Sequence, residues 1–224
     1  MTDYGRPISF TVGGAREPIT GEAAAELETM TVSDLLARQR RQDRGAIRAF
    51  LAAVAAGDFS ALADSLEALE YGFLWRPALA ALVRRADVHP DVPPGFLRIW
   101  IRYGDSLRQG VGDDLALAAG LRLLMPPYSG PAVEVYRGEG ARNRRRRTYG
   151  FSWSSSREAA EAHARGLWQT TDGGSVLLRA TAPPSAIICA VPEEDDHYGE
   201  EEFLVDRRYL RGVEVVARFP QKAL

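Results

Sequence analysis

One cysteine, Cys189, stands among 224 residues, so no internal disulfide can form. It lies in the apolar run Ala186-Ile187-Ile188-Cys189-Ala190-Val191 and reads as a small buried hydrophobe. Lysine is nearly missing: Lys222 is the only one, and arginine supplies the rest of the 28 basic residues. With so much alanine and glycine, a GC-rich genome is the simplest explanation; lysine avoidance by a protein delivered into another cell is the alternative. No stretch is apolar for long enough to span a bilayer, and Met1-Thr2-Asp3-Tyr4-Gly5-Arg6 lacks the apolar centre of a signal peptide. The expected place of work is a cytoplasm, its own or one it enters by a route that leaves no such signal, and no membrane partner is expected. Neither sign of charge dominates, the net being −2, so the composition does not demand nucleic acid.

What the chain does have is ordinary for a soluble globular protein: 46% hydrophobic and 26% charged residues, enough for one large domain or two small ones. Residues 1–20 read as a loosely ordered lead-in. Residues 21–130 read as a helical region. Leu35, Leu36, Ile47, Phe50, Leu51 and Val54 recur at three-to-four spacing. Gly57-Asp58 breaks the run, and Asp58 or Ser60 can cap a second helix carrying Leu62, Leu66 and Leu69. Pro77 suits the first turn of a third. His89-Pro90-Asp91-Val92-Pro93-Pro94 is a rigid connector, and helices over Phe96–Tyr103 and Asp114–Leu124 follow. The aromatics Phe73, Trp75, Phe96, Trp100 and Tyr103 fall at helical spacing and read as core. Nothing in this half carries chemistry.

Residues 131–224 change pattern. Ala132–Tyr136 alternates as a strand and ends at Arg137-Gly138. Arg142 to Arg147 reads as a solvated loop, open to a role in binding anions. Tyr149–Ser154 is a short strand, and Ser155 with Glu158 forms a capping box for a helix stopped by Gly166. Strands are expected over Ser175–Ala182, Ala186–Val191 and Val213–Phe219. Between the last two, Gly199-Glu200-Glu201-Glu202 runs into the apolar Phe203-Leu204-Val205. Strand alternation would set Glu200 and Glu202 on one side and Glu201 on the other. Paired carboxylates at a strand entrance repel unless a ligand or a positive group lies between them.

An arginine ending one strand, serines ending a second and carboxylates opening a third form a usable set. A guanidinium fork suits phosphate oxygens, a hydroxyl can orient a ribose or a carboxylate, and a carboxylate can stabilise an oxocarbenium ion. Together they suit cleavage of a phosphorylated N-glycoside. Val135-Tyr136-Arg137-Gly138, then Phe151-Ser152-Trp153-Ser154, then Glu200-Glu201-Glu202 before Phe-Leu-Val, resemble in order the motifs of the Arg–Ser–Glu class of mono-ADP-ribosyltransferases, the cholera-toxin-like and clostridial-toxin-like group. The resemblance spans roughly residues 131–219. It departs at Trp153, where the family has threonine, and at His163, where it has phenylalanine, so a variant nicotinamide pocket is open.

The resemblance implies an α+β protein, with the helical region followed by a mixed α/β core of two small sheets around an NAD cleft. NAD would be a substrate, with no metal. Arg137 would bind a phosphate, with Gly138, Ser152, Ser154 and Trp168 also at the dinucleotide. Ser152 would fix Glu202, Glu202 would grip the ribose 2′-hydroxyl, and Glu200 would deprotonate or orient an acceptor arginine. Tyr198 would touch the target protein. Trp168 and Tyr198 read equally well as packing. The expected partners are a protein carrying the acceptor arginine and an inhibitor or activator protein; nucleic acid is not expected. Two other readings stand beside this one: an NAD glycohydrolase toxin, and a non-enzymatic module that binds a partner or nucleic acid.

Overall fold

The computed structural model describes residues 31–196 and 199–222, with Leu167 and Trp168 described by backbone alone. The lead-in expected over residues 1–20 lies outside them. The chain is mixed α and β, with seven α-helices and one six-stranded antiparallel sheet among the described residues.

These residues divide into two compact units. The first holds the described residues up to Val92 together with Gly104–Leu117. Its first helix, α1 (Val32–Ala56), starts at a capping box in which Thr31 and Asp34 satisfy each other's orphan donors. It stops at Gly57, whose left-handed φ of 67° a side chain would resist. Asp58 then caps α2 (Phe59–Gly72) through the Ala61 N–H, at 3.0 Å. Pro77 lies in the first turn of α3 (Trp75–Arg85), as its locked φ suggests. Phe50, Leu66, Leu69, Trp75 and Leu82 fill the core of this unit, with Phe50 edge-on to Trp75. The aromatic Phe73 does not join it: it is 83% exposed, in a left-handed conformation at the C-cap of α2.

The second unit holds Pro93–Tyr103 and the chain from Ala118. The expected helix over Phe96–Tyr103 is part of a longer one, α4 (Val92–Val111), which begins on a proline-compatible first turn and ends at Gly112. Helix α5 (Asp114–Leu124) follows.

After it come β1 (Val133–Gly140), α6 (Ala141–Arg146), β2 (Ser152–Ser154), α7 (Arg157–Arg165), β3 (Ser175–Ala182), β4 (Ile187–Ala190), β5 (Glu202–Val205) and β6 (Arg211–Phe219). The arginine run is therefore a short helix and not a loop. Its turn is closed by Arg147, whose N–H bonds the carbonyls of Asn143 and Arg144. Helix α7 is capped by Ser156, whose hydroxyl accepts from the Ala159 N–H, and not by Ser155.

The expectation of two sheets is corrected to one, ordered β4-β5-β2-β1-β3-β6. Strand β1 pairs with β3 along its whole length, from Val133 with Ala182 to Gly140 with Ser175. On its other edge it meets β2 at a single pair, Tyr136 with Ser154. Two three-stranded halves thus join at one point and open on either side of it. Alternation sends Val135, Trp153, Leu178 and Val205 to one apolar core, and Leu177 and Phe219 to a second, shared with Ala160 and Ala164 of α7.

Candidate functional site

The seam between β1 and β2 is where the expected residues meet. Continuing the antiparallel register past Tyr136 and Ser154 would pair Gly138 with Ser152, but the ladder has opened there. The Ser152 carbonyl accepts instead from the Arg137 guanidinium. A backbone acceptor left over by the broken ladder is thereby satisfied, and the guanidinium is drawn to the end of β2.

Arg137 is held from behind by Glu139. The two are alternate residues of β1 and so share a face. Arg137 Nε donates to Glu139 Oε2 at 2.8 Å, and Glu139 is fully buried. The Glu139 carboxylate also accepts from Asn143 Nδ2 at 2.9 Å, from its neighbour Gly140 N–H and from the Gly150 N–H. Burial pushes this carboxyl up, but Arg137, Asn143 and Gly150 outweigh burial and hold it below the ordinary glutamate value. Gly150 supplies space as well as a donor: a Cβ there would strike the guanidinium, 2.7 Å from Arg137 Cζ.

On the other side of the seam, β2 pairs with β5, Ser152 opposite Leu204 and Ser154 opposite Glu202. The Ser152 hydroxyl lies beside the Glu202 carboxylate and favours its ionised form. Burial raises the Glu202 pKa above the usual value; the Ser152 hydroxyl lowers it, nearby Glu200 raises it again, and Arg137 lowers it. The net direction is up. The Cys189 thiol, on the neighbouring strand β4, is pushed up to about 12 by burial and by the Glu202 charge.

The three glutamates do not alternate as a strand would have them. Strand β5 begins only at Glu202, because Asp196 turns the chain before it: its two carboxylate oxygens accept the N–H groups of Glu200 (2.9 Å) and Glu201 (2.7 Å). Glu201 takes a left-handed φ of 47° in consequence and bonds the Ser155 hydroxyl. Ser154 serves the same turn, its buried hydroxyl donating to the Glu200 carbonyl at 2.5 Å and accepting from the Ser156 N–H at 2.8 Å. Glu200 itself faces α7, with Oε1 2.9 Å from His163 Nε2.

The structure therefore brings together Arg137, Ser152, Glu202 and Glu200, each from a different strand or turn. Ser154 orders the acidic turn from behind. Gly138 is small for packing: a Cβ would lie 2.5 Å from the Ala160 carbonyl and against the Ala164 nitrogen of α7. The Trp168 side chain and Tyr198 lie outside the described residues. Sequence reasoning missed Glu139, Gly150 and Asp196. The i, i+2 relation of Arg137 and Glu139 was a usable signal for the first; the other two act through tertiary neighbours. No group of three metal-ligating side chains occurs among the described residues. Comparison with family models, curated proteins and solved structures returns no match for this chain.

Proposed function

We propose that the chain is an NAD-dependent mono-ADP-ribosyltransferase that modifies arginine in a protein. The observation that carries this reading is the junction at the seam: a guanidinium fixed by a buried carboxylate, a hydroxyl beside a second carboxylate, and that carboxylate partly buried. Arg137 offers planar donors to a diphosphate oxygen. Glu202, oriented by Ser152, accepts from a ribose hydroxyl and faces the positive charge that develops as the C1′–nicotinamide bond breaks. The bonding pair leaves with nicotinamide nitrogen, which becomes neutral. A guanidine nitrogen then bonds to C1′ and gives its proton to Glu200. Guanidinium carries its proton at any ordinary pH, so a base beside it is a physical requirement.

The test is nicotinamide release and protein labelling after incubation with NAD and cell lysate. Wild type should do both, and Glu202→Ala should lose both by about 10²–10³-fold, the scale of one preorganised electrostatic group. A folded wild-type protein that consumes no NAD sinks the reading. If NAD is consumed while no protein is labelled, the glycohydrolase reading replaces it.

A further inference from the structure

We propose that His163 is a positioning residue for the acceptor half of the reaction, holding Glu200 so that one of its oxygens meets the incoming guanidine. The proposal rests on the transferase reading above. The backbone positions that carry the ring and the carboxylate are each fixed independently. Ala160 and Ala164 bury one side of α7 against β1, where Gly138 admits the helix backbone at close range. His163, adjacent to Ala164, is placed by that contact, and its side chain stays 59% exposed. The Glu200 backbone is tied at its N–H by Asp196 and at its carbonyl by Ser154. The two side chains then meet at 2.9 Å through Nε2 and Oε1.

That bond engages Oε1 and leaves Oε2 for the acceptor. A carboxylate among other carboxylates, with Asp196 bonded to its own backbone and Glu202 close enough to feel its charge, would otherwise swing toward water. An imidazole can supply a directed donor without the fixed charge of an arginine or lysine, which would weaken the base it holds. In the transfer step, after nicotinamide has left with the pair of its broken bond, Glu200 Oε2 takes the guanidinium proton as the guanidine nitrogen bonds to C1′. The proton on His163 Nε2 stays where it is. Phenylalanine, the residue at this place in the resembled family, has no donor to give.

The experiment compares wild type, His163→Phe and His163→Gln, with NAD and two guanidine sources, agmatine and lysate protein. Nicotinamide release and acceptor modification are measured together. His163→Phe should lower the ratio of modification to release about tenfold, seen in kcat more than in the KM for NAD. His163→Gln, whose amide can donate to Glu200, should recover most of it. An unchanged ratio in folded His163→Phe overturns the proposal, as does a glutamine variant no better than the phenylalanine one, or a wild type that releases nicotinamide but modifies neither acceptor. Should wild type release no nicotinamide, the function reading fails and the contact is decided separately. The chain has three histidines, and the ¹⁵N signal of His163 Nε2 should move in Glu200→Ala. If it stays in place, the pair does not exist.

Discussion

Glu202 serves two opposed demands. Its folded-state pKa is raised, chiefly by burial, so the folded protein binds that proton more tightly than the unfolded chain does. The ionised form therefore costs stability at neutral pH, and the cost disappears as pH falls through the raised value. Glu202→Gln should raise the melting temperature at pH 7.5 while nicotinamide release drops about 10²–10³-fold. Calorimetry beside an NAD assay reads both; a lower melting temperature would contradict the assignment of burial as the main cause. Ser152 acts in the other direction, its hydroxyl lowering the same pKa. Since the proposed chemistry needs the carboxylate ionised, Ser152→Ala should move the acidic limb of the pH–rate profile to higher pH. A limb that stays put would mean the hydroxyl does not act on Glu202.

At the level of the elements, two glycines make contrasting predictions. A Cβ on Gly138 meets backbone atoms of α7, which cannot turn aside. Gly138→Ala should cost about 1–3 kcal/mol of stability, measured by denaturant titration. A Cβ on Gly150 meets only the tip of Arg137, a group that can move. Gly150→Ala should raise the KM for NAD, because the displaced guanidinium is the proposed phosphate contact, and should also lower the unfolding midpoint, because the displacement strains the bond to buried Glu139. An unchanged KM for NAD in Gly150→Ala, or an unchanged midpoint in Gly138→Ala, would contradict the corresponding placement. The same scale explains why the acidic run is not continuous strand. Nothing local to Glu200-Glu201-Glu202 breaks a strand; the break comes from Asp196, whose carboxylate competes for two backbone donors that a ladder would have used.

For the molecule as a whole, two depressed carboxylates that are also buried contribute to the pH dependence of stability. Glu139 is lowered against its burial by Arg137, and Asp206, also nearly fully buried, is lowered against its burial by Arg208 and Arg122. A lowered folded-state pKa contributes stability above the unfolded value and loses it as pH falls through the folded one. Urea midpoints should thus fall on acidification, and Asp206→Asn or Glu139→Gln should be less stable than wild type at pH 7 with a smaller loss toward acid. An equal acid loss in the variants would assign the effect to other groups. The whole-molecule scale is also where the sequence reading of the sheet failed. Each strand was legible within a few residues, but whether β1 and β2 pair at all depends on one contact, Tyr136 with Ser154, between segments whose alternation is the same in one sheet or two.

Residue order alone determined most of the elements and the core of the candidate set. Helical spacing up to Leu124, the period-two strands after Val133, the Asp58 cap and the arginine–serine–glutamate succession are local patterns, and local sterics and hydrogen bonds enforce them. Only the tertiary structure decided that the ladder opens after a single pair, that Glu139 and Gly150 hold Arg137 in that opening, and that His163 reaches Glu200. Those depend on which segments lie side by side. Residues distant along the chain that share a carboxylate or leave room for a guanidinium carry no periodicity by which they could be read beforehand.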